Sequence, residues 1–380
     1  MPPFLIFETM KNFIILIIIS FLIGSCTYDH GELYFEKANL EFRLKDYQAA
    51  HADVTKAIEI EPKSAHYYTL RGEVRSALMD DEGALEDFTR AIEFDTKNAP
   101  LYLCRATSKH KLKNYRGAME DYSTVLELNP TDTHSYCLRG ITKTALKDYQ
   151  GAISDFNLAL KMDPSNADAL YNRALNKNII FDFKGAITDF NKALECDSTY
   201  PNIYYNRGFS KAKLLHHQGA IADFTKALAL NPIDTNSYRM RGVSKSELLD
   251  YVGAIADYSK VLELDSNAAE FYVKRGILKN KLYDFSGAIL DLSKSICINP
   301  GDTNSYLLRG IVKTNSLDYS GALIDFNKAI EIGPSVAELY YYRGIVKMYL
   351  SQNESGCRDL NKAGELDFEA AYDMIKKFCR

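Results

Sequence analysis

Two hydrophobic patterns alternate along the chain from residue 31 onward. In residues 151–162, GAISDFNLALKM, the apolar residues Ala152, Ile153, Phe156, Ala159 and Leu160 recur at i, i+1, i+4, i+7 and i+8. That spacing gathers them on one face of a helix. The preceding pattern, residues 135–146 (SYCLRGITKTAL), predicts a partner helix that ends before Lys147-Asp148-Tyr149. Each pair closes on Asn or Asp followed by proline, as at Asn129-Pro130, Asp163-Pro164, Asn231-Pro232 and Asn299-Pro300. Proline stops the helix there, because it has no N–H to donate and disfavours helical geometry in the residue before it. Asp132-Thr133, Asp234-Thr235 and Asp302-Thr303 supply capping residues for the next helix.

The pair of patterns repeats without insertion. Asp53, Asp87, Asp121, Asp155, Asp189, Asp223, Asp257, Asp291, Asp325 and Asp359 are each 34 residues apart. An arginine ladder from Arg71 to Arg343 keeps the same period, with Lys37 as its first rung. Ten copies therefore run from 31–64 to 337–370, and places are numbered 1 to 34 within each copy. Arg139, Lys143 and Asp155 recur as a trio in nearly every copy. A feature present in every copy most simply serves folding, here as an ion-pair ladder between the two helices. A repeating site for a polymeric ligand such as a glycan is the alternative.

Tyr136, Gly140, Ala152, Phe156, Ala159 and Pro164 match the tetratricopeptide-repeat signature at its spacing, so residues 31–370 resemble that family. The resemblance implies an all-α, right-handed α-solenoid of ten tandem helix-turn-helix units. It also implies a concave groove lined by the first helices. Departures sit at the ends: Ala38 and Val54 in the first copy, Gly356 and Leu360 in the last. Terminal copies cap the stack and are expected to differ. Residues 371–380, with Met374, Ile375 and Phe378 in a first-helix pattern, are expected to be a capping helix.

Composition narrows the function. A net charge of −4 argues against nucleic acid as a partner. Residues 13–23 read FIILIIISFLI, between Lys11-Asn12 and Gly24-Ser25-Cys26. A basic start, a short apolar run and a small-residue exit describe a secretory signal, and the run is shorter than a membrane span. Ile23-Gly24-Ser25-Cys26 resembles a bacterial lipobox. The expected layout is a signal peptide over 1–25, or from Met10 if translation starts there. Lipidated Cys26 and a tether to residue 30 follow. The resemblance implies an exported protein anchored by lipid to the outer membrane of a bacterial envelope. Of the seven cysteines, the six beyond Cys26 read as free structural thiols, because adjacent helix axes lie farther apart than a disulfide spans. Cys196 stands where other copies carry Leu, Ile, Met or Phe, and reads as a small core residue.

No catalytic constellation appears in the sequence, and no cofactor or metal site is expected. The histidines have no ligand spacing; His66, His110 and His134 are the three that a groove would bring nearest one another. The chain reads as a non-enzymatic scaffold for a protein or peptide partner, with a glycan- or peptidoglycan-associated scaffold as the alternative. By the family resemblance the groove is lined by places 2, 5, 9, 12 and 13. Repeats five and six hold its richest aromatic stretch, Tyr171, Leu175, Tyr205 and Phe209, edged by Asn178, Asn202 and Lys213. Phe35, Phe42, Tyr341 and Tyr349 are the secondary candidates. Aromatics flanked by a few polar groups suit a binding hot spot.

Overall fold

The computed structural model describes residues 30–379; the expected signal segment and Cys26 lie outside them. Among the described residues there are 21 helices and no strand. Within each of two units, successive helices pack in tandem as an all-α repeat solenoid. Contacts divide the chain into two units, one ending at Cys196 and one beginning at Asp197. The first holds repeats one to five. The second holds repeats six to ten and the cap.

Repeat four shows how each copy is built. Its first helix, Thr133–Ala145, ends where Lys147 takes a positive φ of 63°. The Asp148 amide then bonds back to the Lys143 carbonyl at 2.9 Å, which closes the helix end. Asp148 also caps the second helix, Tyr149–Met162, by accepting a hydrogen bond from the Gly151 amide at 2.9 Å. Two residues thus end one helix and start the next.

Packing explains the small and aromatic places. A Cβ on Gly140 would fall 2.8 Å from the Phe156 ring, so glycine lets the two helices close over that ring. Phe156 and its equivalents Phe190, Phe224 and Phe326 are fully buried, each next to a buried aspartate. Ala152 and Ala159 are fully buried on the same helix face.

The cap expected over 371–380 is a helix at Glu369–Phe378, two residues earlier. Its Tyr372 hydroxyl donates to the Gly364 carbonyl at 2.9 Å. Two cysteine expectations are corrected. Cys357 and Cys379 form a disulfide, with their Cα atoms 5.5 Å apart. The helix-axis spacing that separates cysteines within the stack does not apply to Cys379. It lies beyond the last helix, where the chain folds back on the second helix of repeat ten. Cys196 is exposed rather than buried. Its equivalents Ile60, Phe94, Leu128, Met162, Leu230 and Leu264 are exposed too, because this place ends the second helix at the surface. Cys104 and Cys137 are free, and burial pushes both thiols up to about 11, which keeps them unreactive.

Candidate functional site

The charge ladder is structural. Each arginine at place 7 grips the aspartate at place 23 of its own copy with a two-pronged fork. In repeat four the Arg139 Nε donates to Asp155 at 2.9 Å and Nη2 at 2.7 Å. Lys143 Nζ approaches the second oxygen of Asp155 at 2.8 Å. The aspartates are almost wholly buried, so the fork and the lysine replace their hydration. The arginine also reaches the preceding copy: Nη1 of Arg139, Arg275 and Arg343 donates to Ser123, Ser259 and Asn327 at 3.2, 2.9 and 2.8 Å. Its third role is to cover the tyrosine at place 4, with Arg139 5.5 Å from the Tyr136 ring centre. Repeat one is weaker. Lys37 binds Asp53 without a fork, and Glu41 stands where other copies have a second cation. Burial pushes the Glu41 carboxyl above its usual range despite Lys37.

The groove candidates fall in both units. In the first unit, Tyr171 lies on the helix Ala167–Ile179, half-buried, with its ring 6.0 Å from Phe190. Leu175 and Asn178 follow on that helix, both half-exposed. In the second unit, Tyr205 on the helix Pro201–Lys213 leans on Phe224 at 5.9 Å. Burial raises the Tyr205 phenol above its ordinary value. Phe209 is half-exposed beneath the Lys213 ammonium, 5.3 Å from its ring centre. Lys213 and Asn202 are exposed. Tyr171 and Tyr205 therefore each lean on a core phenylalanine while staying partly exposed.

The secondary candidates are more committed to packing. Phe35 tilts onto Tyr67 at 5.1 Å and Phe42 onto Tyr47 at 5.7 Å. Tyr341 lies 4.9 Å from Phe368, at the start of the cap, and 5.3 Å from Tyr342. Tyr349 is exposed and stacks on Tyr319 at 4.7 Å.

Family models for the tetratricopeptide repeat match residues 31–64 and 133–166, and a TPR repeat model matches 182–214. Solved structures share the architecture. A tetratricopeptide repeat protein from Parabacteroides merdae is 21% identical, over 66% of this chain and 99% of its own, with a TM-score of 0.50. The C-terminal part of a TPR repeat-containing protein from Cytophaga hutchinsonii is 17% identical over 62% and 96%, with a TM-score of 0.53. The matched copies are tetratricopeptide repeats. YrrB, described as a TPR protein with an unusual peptide-binding site, is 23% identical over 48% of this chain and 94% of its own, at a TM-score of 0.45. A comparison with curated proteins finds no match.

This tetratricopeptide array carries a polar seam that the sequence reading missed. Place 10 is buried in repeats three to seven, and there it holds Ser108, Thr142, Asn176, Ser210 and Ser244. Flanking copies put Val74, Leu278, Val312 and Val346 at the same place. In the first unit these polar places join neighbouring first helices. His110 Nδ1 and the Thr142 hydroxyl are 3.0 Å apart, and the Thr144 hydroxyl donates to the Asn176 side-chain carbonyl at 3.0 Å. A polar residue recurring at an otherwise apolar 34-residue period was the available signal. Among the described residues, no group of three His, Cys, Asp or Glu side chains is arranged to hold a metal ion.

Proposed function

We propose that this tetratricopeptide-repeat chain is a non-enzymatic scaffold that holds a peptide or protein partner on its first helices. The observation that carries the reading is place 9. It is apolar in repeats four to ten, as Ile141, Leu175, Phe209, Val243, Ile277, Ile311 and Ile345, and half-exposed in every one. Within each unit these side chains lie on a face that the repeat's own packing covers only in part. The rings of Tyr171 and Tyr205 stand four residues before Leu175 and Phe209, one helical turn away. Such faces take an extended segment whose apolar side chains seat between rings, and Tyr keeps a polar end for the wet, empty state. Arg239, 4.9 Å above the Phe271 ring, adds a cation to the same face of the second unit.

The proposed location is the bacterial cell envelope, on the membrane through lipid at Cys26. Its support is the Ile23-Gly24-Ser25-Cys26 motif, together with a disulfide of the kind that persists in oxidising compartments. The test is capture of partners from native membranes. Tyr171→Ala with Tyr205→Ala should weaken capture by about thirtyfold, at roughly 2 kcal/mol for hot-spot loss, while the helical signal persists. Tyr136→Ala is the control: it removes a ring beneath Arg139 and should lower stability instead. Normal capture by the double variant overturns the reading, and binding of isolated glycan strands in its place favours the alternative. In the same preparation, Cys26→Ala should leave the membrane fraction; retention with normal processing removes the lipid anchor.

A further inference from the structure

The outward side of the second unit presents a strip that its packing does not use. Place 15 is the turn residue with positive φ, and it points into solvent. In repeats six to nine it holds Leu215, Leu249, Tyr283 and Leu317. Three and seven residues later, on the outer face of the second helix, stand Val252, Leu290 and Ile324. All seven are between 62% and 81% exposed. The remaining outward places of these copies, Gln218, Ala222, Ala256, Ser286 and Ser320, are uncharged. A bulky side chain costs free energy twice here, once for the left-handed backbone and once for exposure. Seven such side chains expose on the order of 700 Å², above the roughly 300–600 Å² of the largest apolar patch on a typical monomer.

Acidic groups lie among the turn tips, and basic groups border the far side of the strip. At the turn end stand the exposed Asp250, Asp284 and Asp318, which cap the second helices. Ten residues further, about 15 Å along the helix, stand the exposed Lys226, Lys260, Lys294 and Lys328. Glu263 and Glu331 pair with Lys260 and Lys328, but Ala229 and Cys297 occupy that place beside Lys226 and Lys294. Across the strip the turn tips and carboxylates come first, then Val252, Leu290 and Ile324, then the ammoniums.

We propose that the strip docks a second copy of this chain, related by a two-fold axis parallel to the strip. That operation lays the carboxylates and turn tips of one copy over the lysines of the other, whose aliphatic stems cover the tips, and sets Val252, Leu290 and Ile324 against their counterparts. The axis leaves positions along the strip unchanged, so each repeat of one copy faces the same repeat of the other. An axis across the strip would oppose like charges. The area matches the roughly 800 Å² per partner of a standard interface, and the carboxylates beside the tips disfavour an anionic lipid surface.

The test is sedimentation velocity of the full chain across the micromolar range, with Cys26→Ala in every sample so that no acyl group contributes. The parent chain should dimerise. Leu249→Gln, Tyr283→Gln and Leu317→Gln together should raise the dissociation constant at least about thirtyfold with unchanged circular dichroism. Lys260→Glu, Lys294→Glu and Lys328→Glu together should weaken the dimer in low salt and less in high salt, because they set acid against acid. Met79→Gln, in the first unit, should change nothing. A parent chain that stays monomeric overturns the proposal, and so does a dimer indifferent to the tip substitutions. A dimer lost with the tips but indifferent to the lysine substitutions overturns the stated symmetry. A monomer that floats with phosphatidylglycerol vesicles only while the tips are intact assigns the strip to lipid instead.

Discussion

Repeats two and three and repeats eight and nine are built alike inside and differ outside. Inside, Asp87, Asp121, Asp291 and Asp325 are all buried under the same arginine forks, at 2.6 to 2.7 Å for the closer contact. Outside, the second helices of repeats two and three show Glu82, Glu86, Arg116 and Glu120. Those of repeats eight and nine show Ser286, Leu290, Ser320 and Ile324 at the same places. Every copy must bind its neighbours, so the inward places are held to one solution. Nothing in the stack constrains the outward places, so their divergence carries what is particular to each unit. Among the described residues no helix is long and apolar enough to cross a membrane.

If the inward solution is shared, the same lesion should cost the same in both units. Asp87→Ala and Asp291→Ala each leave two cations facing an empty, buried place. The expected loss is about 3 kcal/mol in each, at the low end for a broken buried pair because the arginines stay partly wetted. Thermal unfolding followed by circular dichroism reads it. A marked difference between the two variants would break the comparison. So would an unchanged midpoint in either.

A smaller effect sharpens it. At Gly72 and Gly310 a Cβ would fall 2.7 and 2.6 Å from the rings of Phe88 and Phe326. Gly276 faces Leu292 instead, at 3.1 Å. Overpacking should cost Gly72→Ala and Gly310→Ala about 1–3 kcal/mol, against a helix-propensity gain of about 1 kcal/mol. Gly276→Ala should come out near neutral, since a leucine side chain can give by a few tenths of an ångström. Chemical denaturation of the three variants ranks them. Equal losses in all three would show that the ring is not what demands glycine.

The inward solution was legible in the sequence because buried places repeat. The 34-residue period of Asp and Arg identified the ladder, and Gly140 with Phe156 identified the helix crossing. Two features were not legible. The positive φ at place 15 falls on Lys, Met, Phe, Leu, Tyr and Ser, so no glycine or asparagine marks it. The disulfide depends on where the chain end returns, which helical periodicity does not encode. Cys196 was misread for a related reason. Its apolar equivalents suggested a core, but they lie at the surface end of the second helix, where apolar character does not imply burial. For the groove, the family resemblance supplied the candidate places on the first helices, and place 5 is buried at Cys137 and Leu307. It did not show that Tyr171 and Tyr205 each rest on a core phenylalanine, so that one ring serves both packing and surface.

The smallest effect separates the two faces most cleanly. Lys113 and Leu249 occupy the same turn place in the two units, with φ of 61° and 63°. Glycine relieves the left-handed strain at either position, and the flexibility it adds to the unfolded chain offsets part of the gain. Lys113→Gly and Leu249→Gly should therefore raise stability equally, by less than about 1 kcal/mol. Their effects on association should differ. Lys113→Gly removes a charge outside the apolar strip and should leave sedimentation unchanged, whereas Leu249→Gly removes a tip and should weaken self-association. Equal stability changes with unequal association would place the turn's backbone with the shared interior and its side chain with the divergent surface. If Leu249→Gly gained stability and left sedimentation as it was, the leucine would be no more than an exposed turn residue, and the contrast between the units would carry no function at that place.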